Sequence, residues 1–194
     1  MLDKIQDRSW LQMLSSDTGI HLHGAQRALS QWAIVDDYNA VLDLQCQNSA
    51  LLSFLSHKFR LRAVGIAPND QTAVRLKHTA SGTEIICAKE ENIPYEDDVF
   101  DAVFYQTNRL DDICKPAVLQ EALRVLKPDG QMLIAVKGMK NFIQRAFLST
   151  VLEKKKRPLL SVKLLQTMEN AGFQDVSYRM TQPFVGVAMG WKKS

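Results

Sequence analysis

The chain has 194 residues, of which 46% are hydrophobic and 23% charged, with a formal net charge of +3. That length supplies one domain with a substantial core, and the ordinary composition excludes a disordered chain; no run reaches the roughly 18 apolar residues of a membrane span. The charge is too small to point to nucleic acid by itself, and Cys46, Cys87 and Cys114 lack the CxxC spacing and even count of a zinc site or disulfide framework.

Taken in chain order, Met1 to Arg8 carries acids and no apolar core, so it resembles no targeting segment, and a cytoplasmic location without membrane insertion is expected. Leu2 to Leu14 and Ala25 to Trp32 read as two helices that pack over a sheet edge or cover a pocket mouth. They form a cover, residues 1–38, ahead of an α/β core at 39–194, the whole expected to be a single domain.

From Asn39 onward, short apolar runs alternate with stretches of helical period, the mark of βαβ units around a largely parallel sheet. Strands are expected at Ala40 to Leu44, Arg62 to Ile66, Glu84 to Cys87, Ala102 to Tyr105 and Gln131 to Val136. Their near-continuous apolar character suits burial on both faces. Helices are expected at Ala50 to Phe59, Gln71 to Thr79 and Pro116 to Leu126, the last ended by the turn Lys127-Pro128-Asp129-Gly130. A helix from Ser161, its cap, to Ala171 is closed by Gly172, and strands Val176 to Met180 and Val185 to Trp191 end the chain.

The segment Val41-Leu42-Asp43-Leu44-Gln45-Cys46-Gln47-Asn48-Ser49 reads as a first strand and the turn of a nucleoside-binding domain, yet Gln45, Gln47 and Ser49 stand where such turns carry glycine. Glycine there permits positive φ and lets the backbone approach a ligand closely, so side chains change what can lie in the turn.

Together with Ile93-Pro94-Tyr95-Glu96-Asp97-Asp98-Val99-Phe100-Asp101 and Glu121-Ala122-Leu123-Arg124-Val125-Leu126-Lys127-Pro128-Asp129-Gly130, this segment closely resembles class I S-adenosylmethionine-dependent methyltransferases. More narrowly, it is similar to the small-molecule branch related to ubiquinone and menaquinone biosynthesis. The resemblance covers about Asn39 to Val136 and extends loosely through Asn170 to Phe173. It implies a Rossmann-like α/β fold: a mostly parallel seven-stranded sheet, its last strand antiparallel, with helices on both faces.

It also implies a cofactor site at Asp43, Gln45, Gln47, Ser49, Ala67, Lys89, Glu90 and Tyr105. The family holds S-adenosylmethionine by the glycine turn, by an acid at the end of the second strand and by an acid just past the third. Here those positions carry Gln45, Gln47 and Ser49, then Ala67, then Lys89. Hydrogen bonds to charged groups contribute about 1.5–3 kcal/mol each, so two missing acids weaken binding by roughly 3–6 kcal/mol unless Glu90, Glu91 or Asn69 substitutes. Asp43 is expected to fix the turn, and Cys46 to pack, since no His or Cys beside it in sequence activates it.

In the loop beyond the fourth strand, the paired acids Asp111 and Asp112 suit helix capping better than catalysis. His21 and His23 lack a third ligand, so no metal is expected. Trp10, Trp32 and Phe142 to Phe147 read as core or pocket lining. The run Lys154-Lys155-Lys156-Arg157 reads as solvated surface; RNA or phosphate-ligand binding through it with Lys89, Lys137, Lys140 and Arg145 is a third possibility, and nucleic acid is not an expected partner. The sequence therefore points to a methyltransferase-like, noncatalytic protein acting through a partner protein or a different small ligand. The alternative is an active enzyme that methylates a small organic substrate from a rearranged pocket.

Overall fold

The computed structural model describes residues 20, 22–80, 82–107, 115–137, 159–182 and 185–194. The expected helix over Leu2 to Leu14, together with His21, Asp111, Asp112, Phe142 to Phe147, Lys140, Arg145 and the 154–157 basic run, lies outside the described residues.

The elements are α1 (Ala25–Trp32), β1 (Ala40–Asp43), α2 (Ala50–Lys58), β2 (Arg62–Ala67), α3 (Asp70–Thr79), β3 (Thr83–Cys87) and β4 (Phe100–Thr107), followed by α4 (Pro116–Val125), β5 (Leu126–Lys137), α5 (Leu159–Ala171), β6 (Gln174–Gln182) and β7 (Val185–Trp191). The seven strands form one sheet in the order β3-β2-β1-β4-β5-β7-β6. Strand β7 runs antiparallel to both of its neighbours, and the β1, β2, β3, β4 and β5 pairings are parallel.

Alternation along each strand divides the core in two. Val41, Phe104 and Leu133 face α1, α2 and α3, where Leu29, Leu51, Leu55 and Leu76 are buried. Leu42, Val103 and Ile134 face α4 and α5, which supply Val118, Leu119, Leu164 and Met168. Burying a Leu or Val side chain of this kind contributes about 1.5–3 kcal/mol, so the central strands are held from both faces.

Strands β4 and β6 run two residues beyond their expected spans at each end, and two further boundaries differ in kind. Helix α5 begins at Leu159, which puts Ser161 inside its first turn instead of at the cap. Strand β5 begins at Leu126, directly after α4, so the Lys127 to Gly130 run is part of that strand and not a separate turn. The register jumps there, from Phe100↔Leu126 to Ala102↔Gln131, and Asp129 takes φ 60°. A bulge absorbs the extra residues while pairing continues, which a proline-glycine signal alone does not reveal. Gly172, at φ 109°, closes α5 as expected.

Candidate functional site at the strand ends

The strand order reverses between β1 and β4, and in open α/β sheets ligands bind outside the carboxyl ends of strands at such a switch point. Asp43 ends β1 and is fully buried. Its Oδ1 accepts from the Gln45 backbone N–H and its Oδ2 from the Gln106 side-chain amide, both at 3.2 Å. Asp43 thus fixes the turn, as expected, and also ties β1 to β4.

The turn continues the sheet pattern. The Leu44 N–H donates to Phe104 O and the Cys46 N–H to Ile66 O, each at 2.9 Å, so β4 and β2 hold it from either side. Positive φ among non-glycine described residues occurs at Tyr38, Asp98, Asp129 and Asp175, so none falls in this turn. The chain therefore closes the turn at Gln45, Gln47 and Ser49 without the left-handed backbone that favours glycine. The close approach occurs at Gly65 on β2 instead, where a Cβ would lie 2.8 Å from Cys46 Sγ. Burial pushes the Cys46 thiol far up, and Asp43 adds to the shift, so it remains a packed neutral thiol.

Gln45 and Tyr105 converge on one carboxylate. The Gln45 side-chain amide donates to Glu90 Oε1 at 2.9 Å, and the Tyr105 hydroxyl donates to Glu90 Oε2 at 2.8 Å. Tyr105 is buried and belongs to β4, while Glu90 lies in the connection after β3. Lys89 is exposed and pairs in an isolated bridge with Asn92, so the neighbouring acid, not the lysine, turns toward β1 and β4. Ala67 is buried and paired with Cys87, with no polar side-chain atom to offer. Asn69 caps α3, its Oδ1 accepting from the Thr72 N–H at 2.9 Å. Gln47 and Ser49 point elsewhere: both line a cavity between the turn and α3.

The connection carrying Glu90 is pinned by Arg124 of α4. Its guanidinium makes two 2.8 Å bonds to the Glu121 carboxylate, one to Asp97 at 2.8 Å, and reaches the Tyr95 and Ile93 carbonyls at 2.8 and 3.0 Å. The Glu121 partnership holds the Arg124 pKa up, and the same bonds hold the Glu121 carboxyl below its ordinary range.

Sequence reasoning missed Gln106, because β4 runs two residues past its expected end and carries that amide to Asp43. His57 and His78 sit in the last turns of α2 and α3, away from the strand ends. Trp32 is partly buried against the core, under the Arg179 guanidinium at 4.9 Å from its ring centroid. Among the described residues no group of three His, Cys, Asp or Glu could hold a metal, and no helix is long and apolar enough to cross a membrane.

This sheet order with a buried acid and turn at the switch point defines a Rossmann-like class of fold. Residues 42–134 match the model of the methyltransferase domain family, and this match together with the methyltransferase relatives supports the class I S-adenosylmethionine-dependent methyltransferase family. A sarcosine/dimethylglycine N-methyltransferase of Halorhodospira halochloris is 24% identical over 159 residues, which cover 78% of this chain. The chain spans 56% of the length of that relative. Among solved structures, a chain from the complex between the Haloferax volcanii Trm112 methyltransferase activator and a methyltransferase superposes with TM-score 0.70 at 16% identity, covering 99% of this chain and 97% of that one. The 4+2 cyclase SpnF superposes with TM-score 0.68 at 12% identity over 95% of this chain and 93% of its own. Both likenesses concern the fold.

Proposed function

We propose that this methyltransferase-fold protein is noncatalytic and acts through a partner protein or a small ligand other than S-adenosylmethionine. The observation that carries the reading is the clasp in which Gln45 and Tyr105 both donate to Glu90. S-adenosylmethionine brings hydrogen-bond donors, two ribose hydroxyls and an adenine amine, and binding requires acceptors at the strand ends.

The described residues do not fit that demand in the family's manner. Ala67 presents no side-chain acceptor, the Asn69 side-chain oxygen is engaged by the α3 cap, and Lys89 offers a donor to a donor. Glu90 is the nearest acid, and both its oxygens already receive protein donors. Each oxygen keeps a further acceptor site, so a ligand that uses Glu90 has to share the carboxylate with Gln45 and Tyr105 or displace one of them. Fold alone assigns no reaction, and the likeness to a cyclase on the same architecture makes the point for this family. A protein partner is compatible with the Haloferax volcanii neighbour, whose complex contains an activator protein.

A second reading is an active S-adenosylmethionine-dependent methyltransferase with a small organic substrate. The family match and the likeness to a sarcosine/dimethylglycine N-methyltransferase favour it. So does the unstrained turn, which keeps its backbone bonds to β2 and β4. The variant Gln45→Gly, Gln47→Gly, Ser49→Gly, Ala67→Asp, Lys89→Asp separates the two. On the noncatalytic reading it binds S-adenosylmethionine at least about 100-fold more tightly than the unaltered chain, the equivalent of roughly 3 kcal/mol. An unaltered chain that already binds and transfers a methyl group establishes the second reading instead.

A further inference from the structure

The residues that replace the family's glycines have a second face. Gln47 and Ser49 line a cavity of about 540 Å³ on the outer side of the turn, together with Ser53 of α2 and Arg75, Leu76 and Thr79 of α3. Its volume lies within the range of small-molecule sites, and Leu76 gives it a buried apolar floor. Among the described residues, no acidic one lines it.

Among the described lining residues the exposed Arg75 is the permanent cation, and His23 also lines the cavity. One Nη2 bond, 2.8 Å to the Gln47 carbonyl, fixes the guanidinium against the turn. A guanidinium presents five donors in a planar fork, so one bond to a carbonyl orients it and leaves capacity for an oxyanion. The α2 first turn carries no acidic residue, Ser49 at its N-cap position makes no capping bond with its side chain, and the neutral Asn48 Oδ1 accepts from the Ala50 N–H at 3.2 Å. The positive end of the α2 dipole therefore adds to the Arg75 field instead of being offset by a carboxylate.

We propose that this cavity binds the oxyanion of a small organic acid or phosphate monoester, with Arg75 as its charge partner and the Gln47, Ser49 and Ser53 side chains as neutral donors. It supplies a ligand class for the noncatalytic reading, yet it lies apart from the Glu90 clasp. Tight S-adenosylmethionine binding would overturn that reading and leave this site untouched.

The test is a titration of the whole ¹⁵N-labelled chain with sodium phosphate and, separately, sodium acetate, at ionic strength held constant with sodium chloride. Saturable amide shifts confined to residues 47–53 and 75–79 are expected, with phosphate and acetate distinguishing the two ligand sources. Arg75→Gln weakens the response about tenfold or more, as loss of a charge-assisted bond requires. Ser53→Glu, which places a carboxylate in the cavity, does the same and guards against misfolding of the first variant. No saturable shift at about 50 mM of either anion, or an undiminished response in both variants, overturns the proposal.

Discussion

The Gln45 amide and the Glu90 carboxylate, 2.9 Å apart, join the turn after β1 to the connection after β3. Tyr105 donates to the other oxygen of the same carboxylate, so Glu90→Ala removes two bonds and Gln45→Ala one. Urea unfolding is expected to show a loss of about 1–3 kcal/mol for Glu90→Ala and under about 1 kcal/mol for the partly exposed Gln45. Equal losses for the two variants would show that Tyr105 does not depend on Glu90.

Gly65 leaves room for Cys46. A methyl group there would meet Cys46 Sγ at 2.8 Å, Cys46 Cβ at 2.9 Å and Ile85 Cδ1 at 3.0 Å. Gly65→Ala should destabilise by about 1–3 kcal/mol through overpacking, read as a lower thermal midpoint. Adding Cys46→Ala recovers part of that loss, because the thiol is removed while the Cβ contact remains; independent, additive effects would argue against a direct clash.

Acid should loosen the Arg124 hub. Glu121 is held below its ordinary carboxyl range chiefly by its hydrogen bonds to Arg124. A depressed folded-state value contributes stability that is present above the unfolded value of about 4.3 and is lost as pH falls through the folded value. Stability therefore declines below about pH 4.3, and Glu121→Gln flattens that decline. At pH 7, Arg124→Met costs about 3–5 kcal/mol, because Glu121 is left partly buried without its cation. An unchanged acid slope in Glu121→Gln would remove this carboxylate from the account.

The described cysteines should differ in reactivity. Cys46 is buried and its thiol pushed far up, chiefly by desolvation, whereas Cys87 is exposed at the sheet edge. Iodoacetamide labelling followed by peptide mass analysis is expected to modify Cys87 well before Cys46, whose thiolate population is negligible. Faster labelling at Cys46 would mean that the turn opens readily.

Much of this architecture was legible in the sequence. The near-continuous apolar strands announced a parallel sheet covered on both faces, and Ala25 to Trp32 and Val185 to Trp191 appear with the boundaries expected for them. Boundaries blurred where local punctuation met a tertiary override: Pro128 and Gly130 signal a turn, yet pairing with β4 carries β5 through them as a bulge. At the site, the exchange of glycines for Gln45, Gln47 and Ser49 was visible, but its geometric outcome was not. Spacing cannot say that Glu90 rather than Lys89 turns toward Tyr105, since adjacent residues differ only in which way the connection rotates. Nor does spacing reveal that Gln47 and Ser49 face α3, which depends on how α2 and α3 pack.

The most direct test of the central claim is a calorimetric titration of the unaltered chain with S-adenosylmethionine, repeated with S-adenosylhomocysteine. The account predicts no saturable heat below the region of 0.1–10 mM, roughly 3–6 kcal/mol weaker than a micromolar site. Micromolar binding of either ligand would contradict it, showing that the strand ends supply the acceptors the cofactor needs.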